Sequence, residues 1–410
     1  MRYIVQKDWL LERCIWILTV FLLSSFVIFD QSAWISKILL GVTFAILMAD
    51  AILGKGKITV SFGSFHVHVL LFALFCYASC LWAWRPSAAI GKGTTIVEIL
   101  ICMSVLYFHY AKQDTVSELV DAVMWAGYVI TIYTFLYIGV STIRMIAASG
   151  DRLVSAYTNI NEIGIAVAIS VVFTVHNVLF ITRKIQMKHL FIIPEIILVG
   201  LSGSRKTLLL VGIGIALFVL IRYRSRRLLN TIIYWAILGV IIVVLFRLLL
   251  SLPIFSAVNE RMSGLFSLIT GKGETDSSSV KRAAYIQIGL EQFFRTPITG
   301  IGIGSSGALL QQYYGRDTYL HNNFAELLAG GGIIGFLIYY SIHIHLLYDY
   351  VKCRRVSDPY LVLCVVFLLV QLIMEYGMVS YYSKTTYFYF LIFFLEARNL
   401  KVHEGLVEHE

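Results

Sequence analysis

The residues best equipped for chemistry in this chain begin at His321, in His-Asn-Asn-Phe-Ala-Glu-Leu-Leu-Ala-Gly-Gly-Gly-Ile-Ile-Gly, where a polar loop gives way to an apolar helix. An imidazole with an unperturbed pKa near 6.5 can accept or release a proton around neutrality. Asn322 beside it can orient a substrate or begin the helix. Further upstream, Arg205 stands in Leu-Ser-Gly-Ser-Arg-Lys-Thr, at the first turn of an apolar helix. A cation there opposes the helix dipole, and sequences accept such local conflicts mostly at functional sites. A nearby anion removes the conflict, since helix N-termini themselves attract phosphate. Arg152 precedes Tyr-Thr-Asn-Ile-Asn-Glu-Ile-Gly, which carries Asn159, Asn161 and Glu162. Asparagine before an apolar run is an ordinary helix cap, with an acid favoured in the first turn. That account covers Asn161 and Glu162 but leaves Arg152 over. For His321 the plain alternative is a capped transmembrane helix whose glycines, Gly330, Gly331, Gly332 and Gly335, let a neighbour approach closely.

These residues must be held by a membrane scaffold. The 410 residues are 59% hydrophobic and 14% charged, with a mean hydropathy of +0.80. A crossing needs about 20 apolar residues. The pattern predicts an all-α polytopic membrane protein of about 12 transmembrane helices, near 14–29, 34–53, 67–84, 95–110, 116–140, 162–181, 190–201, 206–221, 228–250, 323–347, 359–375 and 379–396. The seventh is short, and Pro194 with Ser202-Gly203-Ser204 predicts a broken or tilted crossing. No small-residue cleavage site follows the first apolar run, so a cleavable signal peptide is not expected. Asp50, Glu98 and Asp121 are carboxylates within the apolar runs, where a charged group is costly. Asp50 and Asp121 lie near span ends, within reach of water.

The net charge of +9 is explained by topology rather than by nucleic acid. With both termini inside, 18 of the 33 basic residues fall in short cytoplasmic segments, chiefly the cluster Arg222, Arg224, Arg226 and Arg227. Positive residues beside spans are retained on that side. The same reading divides the chain into 1–250 with helices 1 to 9, a large structured outside loop at 251–322 between helices 9 and 10, and 323–410 with helices 10 to 12 and a cytoplasmic tail. The loop carries Arg261, Lys272, Lys281, Arg282, Arg295 and Arg316, consistent with a basic cavity for an anionic ligand. A helix is predicted from Ser279 to Arg295, after a turn at Gly271–Asp276 and before Pro297. The Thr299–Gly304 glycine loop lacks the Gly-Lys-Ser/Thr ending of a nucleotide site. None of the six cysteines falls in the outside loop, so no disulfide framework is implied. Of ten histidines, only His321 is expected outside.

Four segments in this order, Arg152 through Gly164, Ser202–Arg205, Arg282 leading into Phe-Phe-Arg-Thr-Pro-Ile-Thr-Gly-Ile-Gly-Ile-Gly304, and His321 through Gly335, resemble the bacterial O-antigen ligase and O-antigen polymerase superfamily. The resemblance spans roughly 150 to 345. It implies a metal-independent, inverting glycosyltransferase of the GT-C type, without cofactors, drawing glycan from undecaprenyl pyrophosphate on the outer face of the bacterial cytoplasmic membrane. It also implies that Arg205, Arg282 and His321 are the catalytic residues. Two arginines suit the leaving pyrophosphate, because their planar forks give bidentate, charge-assisted hydrogen bonds. The acids Asp151, Glu260, Glu274, Asp276 and Asp317 form no paired metal-ligand motif. Arg152, Asn159, Asn161, Arg316 and Asn322 are the expected substrate-binding residues.

Two acceptors fit the resemblance. Polymerases extend a carrier-linked repeat unit of surface polysaccharide, O-antigen or capsule, alongside a flippase and a chain-length regulator; ligases deliver glycan to lipid A-core. The polymerase is the first expectation. A lipid-linked sugar flippase ranks below both, since such transporters line a mid-membrane path with polar groups and often repeat their halves. Here charge gathers in the outside loops and no repeat is visible.

Overall fold

The computed structural model describes residues 2–30, 33–53, 62–111, 115–149, 151–153, 157–224, 228–270, 277–353 and 358–403. The expected turn at Gly271–Asp276 lies outside them, with Glu274 and Lys272. So do Lys55, Lys57, Lys112, Arg226, Arg227, Arg354, Arg355 and His409. Every regular element among the described residues is helical. The helices are α1 (Arg2–Ile28), α2 (Ala33–Leu53), α3 (Ser64–Ala78), α4 (Pro86–Tyr110), α5 (Val116–Ile138) and α6 (Val140–Ser149). There follow α7 (Ile160–His176), α8 (Ile192–Leu201), α9 (Arg205–Arg222), α10 (Leu228–Leu250) and α11 (Ser256–Thr270). The chain ends with α12 (Ser277–Arg295), α13 (Ser306–Tyr314), α14 (Asn323–Lys352), α15 (Pro359–Glu375) and α16 (Lys384–His403).

Six stretches are long and apolar enough to cross a bilayer: Leu10–Ile28, Ser64–Leu81, Pro86–Tyr110, Val116–Ile138, Ile160–Thr182 and Asn323–Lys352. Each of the twelve expected spans coincides with a helix, and among the described residues these six have both length and apolarity. Trp34–Met48, Leu229–Ile241 and Pro359–Glu375 are shorter apolar helices. The expected seventh span is the ten-residue α8. At 1.5 Å per residue it reaches about 15 Å, half a hydrocarbon core. The expected helix from Ser279 begins at Ser277 and stops at Arg295, two residues before Pro297. Large apolar side chains stay exposed along the candidate spans and α10, among them Leu74, Ile101, Leu136, Val240, Val244 and Leu337. Such surface is a liability in water and suits lipid. The chain is an integral membrane protein.

Two compact units form, each from two stretches of chain: Met1–Gly54 with Ser117–Glu274, and Lys55–Val116 with Thr275–Glu410. In the first, α7 packs on α8 and α9. Gly164 of α7 faces Ser202 and Thr207, where a Cβ would meet their side chains at about 3.0 Å. Asp121 of α5 pairs with Lys188 (3.9 Å) and accepts from Asn177 (3.4 Å).

In the second unit, α14 is broken. Gly332 has φ 58° and ψ −164°, inside an otherwise helical run. The Pro297–Ile301 segment fills the break. Ile333 N–H donates to Pro297 O (2.8 Å), Ile334 N–H to Ile298 O (3.3 Å), and Ile301 N–H to Ala329 O (3.0 Å). Irregular backbone at membrane depth is tolerated where protein satisfies its polar groups, and this loop does so. The glycine face of α14 therefore receives a loop, together with the Phe75 ring of α3, which lies against Gly331 and Gly335. A Cβ on Gly300 would stand 2.5 Å from Gly330 C and O, and one on Gly332 would meet the Ile298 carbonyl and Thr299 N. The Thr299–Gly304 loop thus spends its glycines on close backbone packing rather than on a phosphate. Of the other two carboxylates expected in the apolar runs, Glu98 lies on the exposed side of α4 and the Asp50 side chain is outside what the structure describes.

Substitution of Gly332 by alanine combines a backbone conformation reserved for glycine with a backbone clash. The expected cost is about 3 kcal/mol or more, read as a fall in the thermal midpoint of the detergent-solubilised protein. Gly91→Ala in α4, where nothing lies within 4 Å, does not lower the midpoint and should raise it slightly, since alanine favours the helix over glycine.

Candidate functional site

In the first unit, α8 ends and α9 begins within the tight turn Ser202–Ser204. The carbonyls closing a helix lack partners within it and carry the negative end of its dipole. Two guanidiniums take them. Arg152 Nε donates to Ser202 O (2.9 Å), and Arg261 Nη1 donates to Gly203 O (3.0 Å). Arg261 comes from α11. Its own carbonyl accepts from Arg205 Nη1 (3.0 Å), so Arg205 and Arg261 interlock across the turn. Arg152 also reaches Asn161 Oδ1 through Nη2 (2.8 Å). Two arginines thus hold the carbonyls of this turn, and the third, Arg205, first in α9 and half-buried, holds the backbone of one of them.

The asparagines of this unit have defined local work. Asn159 caps α7, its Oδ1 accepting Asn161 N–H at 3.0 Å. The cap is therefore Asn159 rather than Asn161, which holds Arg152 instead. Just before it, Tyr157 bonds Thr134 Oγ1 at 2.6 Å. Burial pushes the Tyr157 hydroxyl up to about 12, so it anchors the loop as a neutral group.

The second unit holds Arg282, Arg316, His321 and Asn322. Gly289 of α12 packs against Leu320 and Ala325, seating α12 on the start of α14. Tyr285 of α12 is buried, and its ring stacks on His321 at 6.3 Å between centroids. Tyr319 lies over the same imidazole at 4.1 Å. Arg282 is half-buried and three residues before Tyr285, which puts the two on one face of α12. His321 itself adopts φ 59°, a left-handed conformation uncommon outside glycine and a mark of functional sites.

His321 is not the cap of α14. Asn322 is: its Oδ1 accepts Ala325 N–H at 2.8 Å while its Nδ2 donates to Tyr376 O at 2.9 Å. Asn323 is also spent on structure, accepting from the Ser380 and Tyr381 amides at 2.9 and 3.1 Å. Arg316 is exposed in the loop before His321. Asp317 beside it pairs with Arg85 at 2.5 Å. Among the described residues, no three His, Cys, Asp or Glu side chains gather as metal ligands.

The family model described as O-Antigen ligase matches residues 190–340. The match takes in α8 to α13 and more than half of α14, and with them Arg205, Arg261, Arg282, Arg316, His321 and Asn322. Arg152, Asn159 and Asn161 precede it. Though it covers 151 of 410 residues, it supports the O-antigen ligase and polymerase superfamily for this chain and implies a glycosyltransferase-type membrane enzyme. No curated protein matches the chain.

Sequence reasoning passed over two residues. Arg261 was only one of six basic residues in a long loop, and its sole signal was that surplus of charge. Glu326, five residues into the His321 segment, reads as an ordinary acid in a first helical turn.

Proposed function

We propose that the chain is an inverting, metal-independent glycosyltransferase working on the extracytoplasmic face of the bacterial cytoplasmic membrane. The donor is an undecaprenyl pyrophosphate-linked oligosaccharide, and the acceptor is the next carrier-linked repeat unit, so that surface polysaccharide grows. The observation that carries this is the stacked, left-handed His321 at the end of a clamped loop, with Arg282 one turn along α12 from the ring it stacks on. His321 takes the proton of the acceptor hydroxyl as its oxygen bonds to the glycosyl C1. The C1–O bond to pyrophosphate breaks on the opposite face, and Arg282 holds the charge that grows there; the resemblance gives Arg205 the same kind of task. Arg152 and Arg261 stiffen the turn that presents Arg205. Arg316 and Asn322 are the substrate-binding residues proposed in the unit that holds His321, and Asn159 and Asn161 those proposed in the unit that holds Arg205.

The second reading is a ligase that transfers the glycan to lipid A-core, supported by the family model's description as O-Antigen ligase. Purified protein given lipid-linked repeat unit alone, in excess chelator, separates the two. A ladder of longer glycans is expected for the polymerase. Transfer only when lipid A-core is added identifies the ligase, and activity restored only by magnesium or manganese overturns the arginine-based mechanism. A flippase and a chain-length regulator are the partners expected of the polymerase.

A further inference from the structure

The backbone on either side of His321 is tied to the first turns of α14 by side chains. After it, Asn322 caps the helix. Before it, Leu320 N–H donates to Glu326 Oε2 at 2.9 Å. The other oxygen of the same carboxylate, Oε1, accepts from the Ser306 hydroxyl of α13. Glu326 is 4% exposed. A buried carboxylate is costly unless its oxygens are bonded, and Glu326 spends both on segments outside its own helix. Neither bond is needed to start α14, because Asn322 already does that. What the Leu320 bond does is fix the amide immediately before the one non-glycine residue of this unit with positive φ among those described. Arg85 and Asp317 secure the far end of the same loop, with Asp317 lying against Gly307.

We propose that Glu326 is a positioning residue for His321. By holding Leu320 N–H it keeps the imidazole in its left-handed pose, stacked on Tyr285, with its ring aimed for proton transfer. This rests on the reading of His321 as the group that acts on the acceptor hydroxyl. A shift of about 1 Å in a reacting group can cost on the order of 10² in rate, so loss of the tether should appear in turnover and leave donor affinity alone.

The test measures turnover and binding of lipid-linked donor for Glu326→Ala, Glu326→Gln and Glu326→Asp, with Glu326→Ala also placed on a His321→Ala background. Alanine should slow turnover by about 10²-fold at unchanged donor affinity, and should add nothing once His321 is gone. Glutamine keeps the reach: its oxygen can accept Leu320 N–H while its amide donates to Ser306, so most of the turnover should return. Aspartate retracts the carboxylate by one methylene and should be slow; it replaces the alanine variant if that one does not accumulate. Wild-type turnover in both alanine and aspartate variants, parallel loss of donor binding, or an equal further loss on the His321→Ala background each overturns the proposal. Full turnover in His321→Ala alone removes the mechanism on which it rests. A slow His321→Ala with an unimpaired or additive Glu326→Ala removes only the role of Glu326.

Discussion

His321→Ala is expected to bind carrier-linked donor like the wild type and to turn over about 10² to 10⁴ times more slowly, the usual cost of losing a general base. His321→Asn makes the comparison sharp. Asparagine tolerates the left-handed backbone that His321 adopts at φ 59° better than most residues, so the fold is kept while the base is lost. The helix cap is unaffected, because Asn322 supplies it. The asparagine variant should therefore be stable and nearly as slow as alanine. Had His321 served as a cap, asparagine would restore function. Full turnover in His321→Asn would take the imidazole out of the reaction. Donor binding is read separately, by titration with lipid-linked repeat unit.

Arg282→Lys is the second large effect. Lysine keeps the charge but not the planar fork, and bidentate recognition of phosphate does not survive that exchange. A fall in kcat of about 10² to 10³ is expected, the size seen when one preorganised donor to a developing charge is removed. Arg282→Ala should lose donor affinity as well, because attraction in the ground state goes with it. The contrast with His321 is the useful part: the arginine change moves binding and turnover, the histidine change turnover alone. The helix should not be the cause of either loss. Arg282 lies near the start of the 19-residue α12, whose seat on α14 is made further along, by Tyr285 and Gly289. Unchanged thermal midpoints alongside lost activity would support that separation, and an active lysine variant would show that charge alone suffices at 282.

Much of this was legible in the residues because it is local. Apolar runs of helical length announce helices, and all twelve expected spans fall on one. Arg205 could be placed at a helix start from Ser-Gly-Ser before it and leucines after it, and it is the first residue of α9. The helix carrying Arg282 was bounded by a serine run and Pro297, since serines cap and proline cannot continue the backbone pattern. Span number was less legible. Apolarity alone does not separate a helix of full crossing length from a ten-residue one such as α8, which ends at the turn Ser202–Ser204.

What the sequence by itself determined is the class of the protein and which side chains to put forward for its site: helices fit for lipid, an arginine at a helix start, another early in the α12 helix, and a histidine at a helix entrance. These follow from patterns a few residues long, governed by helical periodicity, capping and charge. Only the tertiary structure decided how those side chains are held. Arg261 reaches the turn that carries Arg205 from more than fifty residues away. The Pro297–Ile301 loop supplies the backbone hydrogen bonds that the break at Gly332 removes. Glu326 ties Leu320 and Ser306 together ahead of His321. Each is a contact between segments whose separation no local pattern sets. Such contacts form only because a buried carbonyl, amide or carboxylate must find a partner once the helices have packed.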